Sequence, residues 1–312
     1  MKVDDAALAK PLEQPPTSLS ACRSLDDIFV QTVRHVTHSV GAPERALTVL
    51  SLMQIPRIAE EDGSIAYADL NDEVHGMAMN LQADMRGFKS DGGQWPTSVD
   101  RVSELVFGPL DPPMAGAIFG HLHYLRSYRK DSIGYALFHP QTHLPLVACT
   151  VSPLQWENLA QLILQNIGVP QEAVMDVSRV FAFEQAPKNS ISALLSRVRL
   201  DLRQNHPEIE LLSTAVDQNL GFRGSSYKAS NWQLFCEVQP RPYLYFDSKY
   251  MTVRQVREMF GEKRWEEIAK LTNGRFQVSM APLLDSLIYI QRIKKDRIAI
   301  PDKVYRLERQ GI

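Results

Sequence analysis

The residues whose types and spacing suggest chemistry lie in the second half of the chain. Pro187, Lys188, Asn189, Ser190 and Ser192 follow the β-branched, aromatic run AVMDVSRVFAF and open a long apolar-periodic stretch, SISALLSRVRLDLRQN. That is a strand running into a helix start. The N–H groups of a helix N-terminus, with the positive end of the dipole, suit a phosphate or pyrophosphate, and small polar residues let it approach. Asn189 or Ser190 would equally serve as an N-cap alone. Further on, IELLSTAV reads as a strand that leads to Asp217, and NLGFRGSSYKASNW offers Gly221 and Gly224 for a tight turn before a short polar helix carrying Tyr227. Asp217 and Tyr227 thus both follow the end of a strand, where α/β folds place their chemistry: a carboxylate to take a proton and a phenol to give one. The plainer readings are a turn or cap aspartate and a packed tyrosine. Arg179 on an apolar strand is harder to read as packing, because a buried guanidinium needs an anionic partner.

These residues must be positioned by the elements around them. Residues 1–20 hold three prolines with little periodicity and read as a flexible arm. Residues 21–100 read as a mainly helical extension, with helical patterns from Ser24 to Gly41, from Pro43 to Met53 and from about Ile65 to Gln82, broken at KSDGGQWPTS. About 101–127 reads as helical or mixed, interrupted at GPLDPP. YALF and LPLVACTVS, joined by HPQTH, form a hairpin, and QWENLAQLILQNIG is an amphipathic helix closed by Gly168. RPYLYF alternates as a core strand, MTVRQVREMFGEKRWEEIAKLTN gives two helices parted near Gly261, and SLIYIQRIKK is a strand or helix entering a basic tail. The expected organisation is therefore an arm (1–20), a helical extension (21–100), an α/β core (101–250) and a C-terminal helical and basic extension (251–312).

The 312 residues are 44% apolar and 22% charged with a net charge of −2, which excludes collagen-like, disordered and disulfide-scaffold classes. Cut after Ser178, the chain divides into parts of −9 and +7, and the basic part either faces an anion or is a solvated face. Cys22, Cys149 and Cys236 form no CxxC, which fits a reducing cytoplasm. No membrane span or leader is expected. Cys149 and Cys236 read as buried packing residues, not nucleophiles. His35 and His38 read as ordinary histidines, and no ligand spacing demands a metal at His121, His123 or Asp217.

Strand, DVSRV, phosphate-type turn, helix, strand and Tyr-bearing short helix is an order that resembles the GNAT acyltransferase core. DVSR, PKNSIS and Asp217 followed by GFRGSSYKASNW are similar in order and spacing to the phage Mom-like, DNA-modifying branch. HLHYLRSYR, with His123 and Tyr124, resembles that branch's stretch upstream of the first core strands. The resemblance covers roughly 120–250. It implies a central twisted, splayed mixed sheet flanked by helices, in which the splay takes the pantetheine arm of acetyl-CoA or another acyl-CoA. It further implies cofactor contacts from Arg179, Lys188, Asn189, Ser190 and Ser192, and a reacting end at Tyr227, Asp217, His123 and Tyr124. The glycines of the usual GNAT pyrophosphate turn are missing, replaced by the run QAPKNSI from Gln185, so Lys188 would supply charge in their place. The implied activity is direct acyl transfer to a small amine, peptide or aminoacyl acceptor. The alternatives are adenine modification in DNA or another nucleic acid, and a GNAT-fold binding protein without catalysis.

Overall fold

The structure, a computed structural model, describes residues 83–218, 222–247, 249–278, 284–294 and 299–308. The expected arm, the helices expected before residue 83, His35, His38 and Gly221 lie outside the described residues. The described chain divides into two compact units, one of residues 91–120, 127–240 and 284 onward, the other of residues 83–90, 121–126 and 241–283.

The larger unit is an eight-stranded mixed sheet. Its elements run β1 (Val106–Pro109), α1 (Pro112–Ala117), β2 (Ile133–Phe138), β3 (Pro145–Pro153), α2 (Glu157–Ile167), β4 (Val174–Ala182), α3 (Ser190–Asn205), β5 (Leu211–Val216), α4 (Ser225–Ala229) and β6 (Gln233–Val238). After the excursion into the smaller unit come β10 (Ser286–Arg292) and β11 (Tyr305–Leu307). The strand order is β1-β2-β3-β4-β5-β10-β6-β11. β4 pairs parallel with β5 and β6 with β11, while the remaining neighbours are antiparallel. This is the mixed, helix-flanked α/β sheet of the GNAT resemblance.

Local sequence explains the elements. In α2, Leu159, Ala160 and Ile163 are buried on one stripe, and Gly168 at φ 78° takes the left-handed C-terminal position that favours glycine. α3 buries Leu194, Leu195, Val198 and Leu202 against one face of the sheet, where Cys149, Val151, Met175, Val177 and Leu212 meet them. Truncating one such leucine to alanine costs about 2–5 kcal/mol. α2 covers the opposite face over Val174, Leu211, Phe235, Ile288 and Ile290.

Two segments differ from their expectation. Val106–Pro109, within a stretch expected to be helical or mixed, is an edge strand, because Val106 and Phe107 pair with β2 and Pro109 stops the ladder where an edge tolerates it. Asp111 then caps α1 by accepting the N–H of Met114 at 2.8 Å. Ser286–Arg292 lies between β5 and β6 with Leu287–Gln291 all buried, an interior position open only to strands whose two faces are both apolar enough to be covered.

The smaller unit has its own three-stranded sheet, β8-β7-β9, from β7 (Leu244–Phe246), β8 (Lys249–Met251) and β9 (Phe276–Val278). α5 (Val253–Phe260) and α6 (Trp265–Leu271) join it around Leu244, Met251, Val256, Ile268 and Phe276. Thr252 and Gln255 close a reciprocal capping box at the start of α5. No described helix is long and apolar enough to cross a membrane.

Candidate active site

β4 and β5 pair only at Val174–Asp176 with Leu211–Ser213, although β4 continues to Ala182 and β5 to Val216. The strands therefore separate beyond Asp176 and Ser213, leaving a fork inside the sheet whose facing backbone groups have no ladder partner there. On one side of the fork the Thr214 hydroxyl donates to the Val177 carbonyl at 3.0 Å and reaches the Tyr227 hydroxyl oxygen at 3.2 Å. Burial pushes the Tyr227 phenol up to about 12, the Thr214 hydrogen bond opposes the rise and the Asp176 charge adds to it. Tyr227 is thus protonated at neutral pH.

The Tyr227 ring packs edge-on to Trp232 at 5.3 Å and stacks on Tyr289 at 6.0 Å. Trp232 Nε1 is buried with no hydrogen-bond partner among the described residues. α4 is held to the start of α3 by the Ser230 hydroxyl, which lies 3.3 Å from the Ser192 carbonyl and 2.7 Å from that of Ser226. Gly224 precedes α4 at φ 69°, and a Cβ there would fall 2.5 Å from Tyr289 Cε2. Only glycine fits that position without moving the aromatic stack.

The other side of the fork is polar. Asp176 accepts a hydrogen bond from Ser213 at 2.9 Å, and Ser178 lies within hydrogen-bond reach of Thr150 (3.3 Å) and Ser152 (3.1 Å). Thr150, Ser152 and Ser213 are fully buried. The ladder shifts here, with Thr150 opposite Arg179 and Val151 opposite Val177, so Ser178 is the extra residue of a β-bulge. The bulge reverses the side-chain alternation. Val177 and Val180, three apart, pack into the same cluster beneath α3, which places Asp176 and Arg179 together on the opposite face. Burial raises the Asp176 carboxyl to about 6, against the Ser213 hydrogen bond and the charges of Arg179 and Arg129. Sequence reading passed over Asp176. Its signal was a carboxylate within the apolar run of DVSR, the same ground on which Arg179 stood out.

The residues expected from the sequence are placed as follows. Arg179 donates to the Ser127 carbonyl (2.9 Å) and hydroxyl (2.8 Å) and to the Ser178 carbonyl (2.5 Å), so it fastens the segment after residue 126 to β4. Lys188 and Asn189 are exposed at the start of α3, with Asn189 in the left-handed region at φ 67° and making no side-chain cap bond. Ser190 is buried and donates to the Pro187 carbonyl at 2.5 Å, while Ser192 donates to that of Asn189 at 2.8 Å. Asp217 is half-buried just past β5, next to Gln218, whose amide donates to the Asp285 carbonyl at 2.9 Å. His123 and Tyr124 belong to the smaller unit, where His123 is buried, accepts the Leu125 N–H on Nδ1 at 3.2 Å and stacks on Tyr124 at 4.2 Å. Cys149 and Cys236 are fully buried, and burial raises both thiols, Cys236 to about 12. Among the described residues no three His, Cys, Asp or Glu side chains gather as a metal site.

Comparison with known proteins adds to this geometry. No curated protein sequence matches the chain. Among solved structures, Arabidopsis thaliana NAA60 in complex with acetyl-CoA superimposes at a TM-score of 0.37 and 13% identity, covering 61% of this chain and 98% of that one. The same Arabidopsis protein in complex with a bisubstrate analogue gives 0.37 and 14%, covering 61% and 99%. Residues 104–299 match the Mom protein family. That span takes in the fork, the start of α3 and the Tyr227 helix, and the chain belongs to the Mom protein family.

Proposed function

We propose that the chain is an acyl-CoA-dependent N-acyltransferase whose reacting centre is the fork between β4 and β5. The fork itself carries the reading: a sheet opened from within offers backbone groups that lack a ladder partner to an extended, amide-bearing arm, with proton-handling side chains on both sides of the opening. Lys188 and Asn189, exposed at the start of α3, fit a pyrophosphate by charge and small size.

A bound acyl-CoA supplies a thioester carbonyl to which the acceptor nitrogen bonds as the carbon–sulfur bond breaks. Asp176, raised to about 6, is ionised at neutral pH yet basic enough to take the proton that the acceptor nitrogen loses. Asp217 is the second carboxylate candidate for that proton. Tyr227 holds its proton at neutral pH and donates to the departing sulfur. Arg179 positions the segment beginning at Ser127.

Isothermal titration with acetyl-CoA tests the reading. Saturable binding that weakens in Lys188→Ala and Thr214→Val supports the fork and the helix start as the cofactor site. No binding to folded protein overturns it.

Membership in the Mom family and the +7 charge after Ser178 favour a second reading of the acceptor, in which the nitrogen is the exocyclic amine of adenine in DNA. Incubation with acyl-CoA and duplex DNA, followed by nucleoside mass spectrometry, separates it from transfer to small amines, peptides or aminoacyl compounds.

A further inference from the structure

Thr214 stands where the sheet opens. Its neighbour Ser213 makes the last β4–β5 pair with Asp176, and Thr214 is the first β5 residue beyond that ladder. On its other side it pairs with Tyr289 of β10, the ring on which Tyr227 stacks. Thr214 is 1% exposed, and its hydroxyl hydrogen has two acceptors within reach, the Val177 carbonyl at 3.0 Å and the Tyr227 hydroxyl oxygen at 3.2 Å. The Tyr227 hydroxyl has no other hydrogen-bond partner among the described residues. A threonine hydroxyl carries a single hydrogen, so it goes to whichever oxygen draws it more strongly.

While Tyr227 keeps its proton, its oxygen is a neutral acceptor and the nearer Val177 carbonyl competes with it. Once the proton leaves, the same oxygen carries a full negative charge, and a hydrogen bond to a charged acceptor is about twice as strong as one between neutral groups. The Thr214 hydrogen then belongs to Tyr227. An interaction that strengthens only as charge develops lowers the barrier without tightening the binding of the reactants. The same hydrogen bond already works against the rise that burial imposes on the phenol.

We propose that Thr214 is a positioning residue for proton transfer: it holds the Tyr227 oxygen at the fork and stabilises the phenolate left when Tyr227 gives up its proton. In that step the Tyr227 O–H bond breaks, the proton joins an electron pair of the departing sulfur to give a free thiol, and the oxygen keeps the bonding pair. Solvent reprotonates the phenolate before the next turnover. The role presupposes the acyl transfer proposed for the fork, and Thr214 acts through Tyr227 rather than on the acyl group.

Thr214→Val removes the hydroxyl at nearly constant volume, but it also strips the Val177 carbonyl of its donor and disturbs the fork, so the part that depends on Tyr227 has to be separated. Steady-state acyl transfer by wild type, Thr214→Val, Tyr227→Phe and the double variant, each shown folded by circular dichroism, separates it, with Thr214→Ala in place of Thr214→Val should the latter not fold. Removing the hydroxyl should lower kcat at least about tenfold when Tyr227 is present and less than about threefold when it is already phenylalanine. Thr214→Ser, which keeps the hydroxyl, should stay within about threefold of wild type. A difluorinated tyrosine incorporated at position 227 gives a readout that needs no acyl donor, because its phenol ionises at lower pH than the other tyrosines. Absorbance titration should place that ionisation about one pH unit or more higher in Thr214→Val and leave it unmoved in Thr214→Ser. An equal kcat loss in both backgrounds, or an unmoved phenol ionisation in Thr214→Val, overturns the proposal, since Thr214 then acts on the fork alone. Failure of Thr214→Ser to keep kcat overturns it as well. A wild type that transfers no acyl group, with the phenol ionisation still shifted by Thr214→Val, supports the coupling of the two hydroxyls and overturns the acyl-transfer reading instead.

Discussion

Asp176→Asn separates what the carboxyl does for stability from what it does for chemistry. Burial lifts this carboxyl from its ordinary value to about 6, so ionising it in the folded protein costs up to about 3 kcal/mol more than in the unfolded chain. Partial solvent access lowers that ceiling, leaving about 1–3 kcal/mol. The sign follows from the protons bound. Between about pH 4 and 6 the folded state holds the proton more tightly than the unfolded chain, so the contribution to stability falls as pH rises across that window. Above about 6 the full cost is carried. An asparagine in the same position removes the charge while its side-chain oxygen still accepts from Ser213. Asp176→Asn should therefore raise the melting temperature at about pH 7.5 by a few degrees and leave it nearly unchanged near about pH 4. Acyl transfer at neutral pH should fall by about 10²-fold or more, and the wild-type rate should rise with pH through about 6. Thermal melts at the two pH values and a pH–rate profile read both effects. A variant that is less stable than wild type at about pH 7.5 and loses no activity refutes both the electrostatic reasoning and the proton-accepting role.

Three further outcomes follow from the geometry. Tyr227→Phe keeps the ring against Trp232 and Tyr289 but removes the proton donor, so kcat should fall about 10- to 10³-fold with acetyl-CoA affinity unchanged, as measured by steady-state kinetics beside titration. Gly224→Ala drives a Cβ into Tyr289 from a left-handed backbone position and should cost about 1–3 kcal/mol in urea unfolding while lowering activity through the displaced Tyr227. Cys149 and Cys236, buried with raised thiols, should resist alkylation by iodoacetamide at mildly alkaline pH until denaturant is added, as read by peptide mass spectrometry.

Much of the fold was written in hydrophobic period and punctuation. The hairpin of β2 and β3, the amphipathic α2 closed by Gly168, β4, α3, β5, α4 and the pair of helices parted near Gly261 were all readable, because each is long or sharply bounded. Val106–Pro109 was not, since an edge strand of four residues owes its state to pairing with β2 rather than to its own composition. SLIYIQR was ambiguous for a related reason: a short apolar run suits a buried strand or a buried helix, and only insertion between β5 and β6 decides.

The site was legible as residue types but not as an arrangement. Period two puts Asp176 and Arg179, an odd number of residues apart, on opposite faces of β4, so the sequence gives no reason to pair them. The extra residue at Ser178 reverses the alternation and turns DVSR from an apolar strand with two stray charges into a carboxylate and a guanidinium on one face. The same bulge sits just beyond the last β4–β5 pair, Asp176 with Ser213, where the sheet opens. If the bulge is what brings these groups to the fork, deleting Ser178 should do more than remove a hydroxyl. The ladder would then continue in simple alternation, Arg179 would turn away from Asp176, and activity should be lost, whereas Ser178→Ala, which keeps the backbone count, should retain most of it. Comparable kinetics for the two variants would show that the alternation at β4 does not matter to the chemistry.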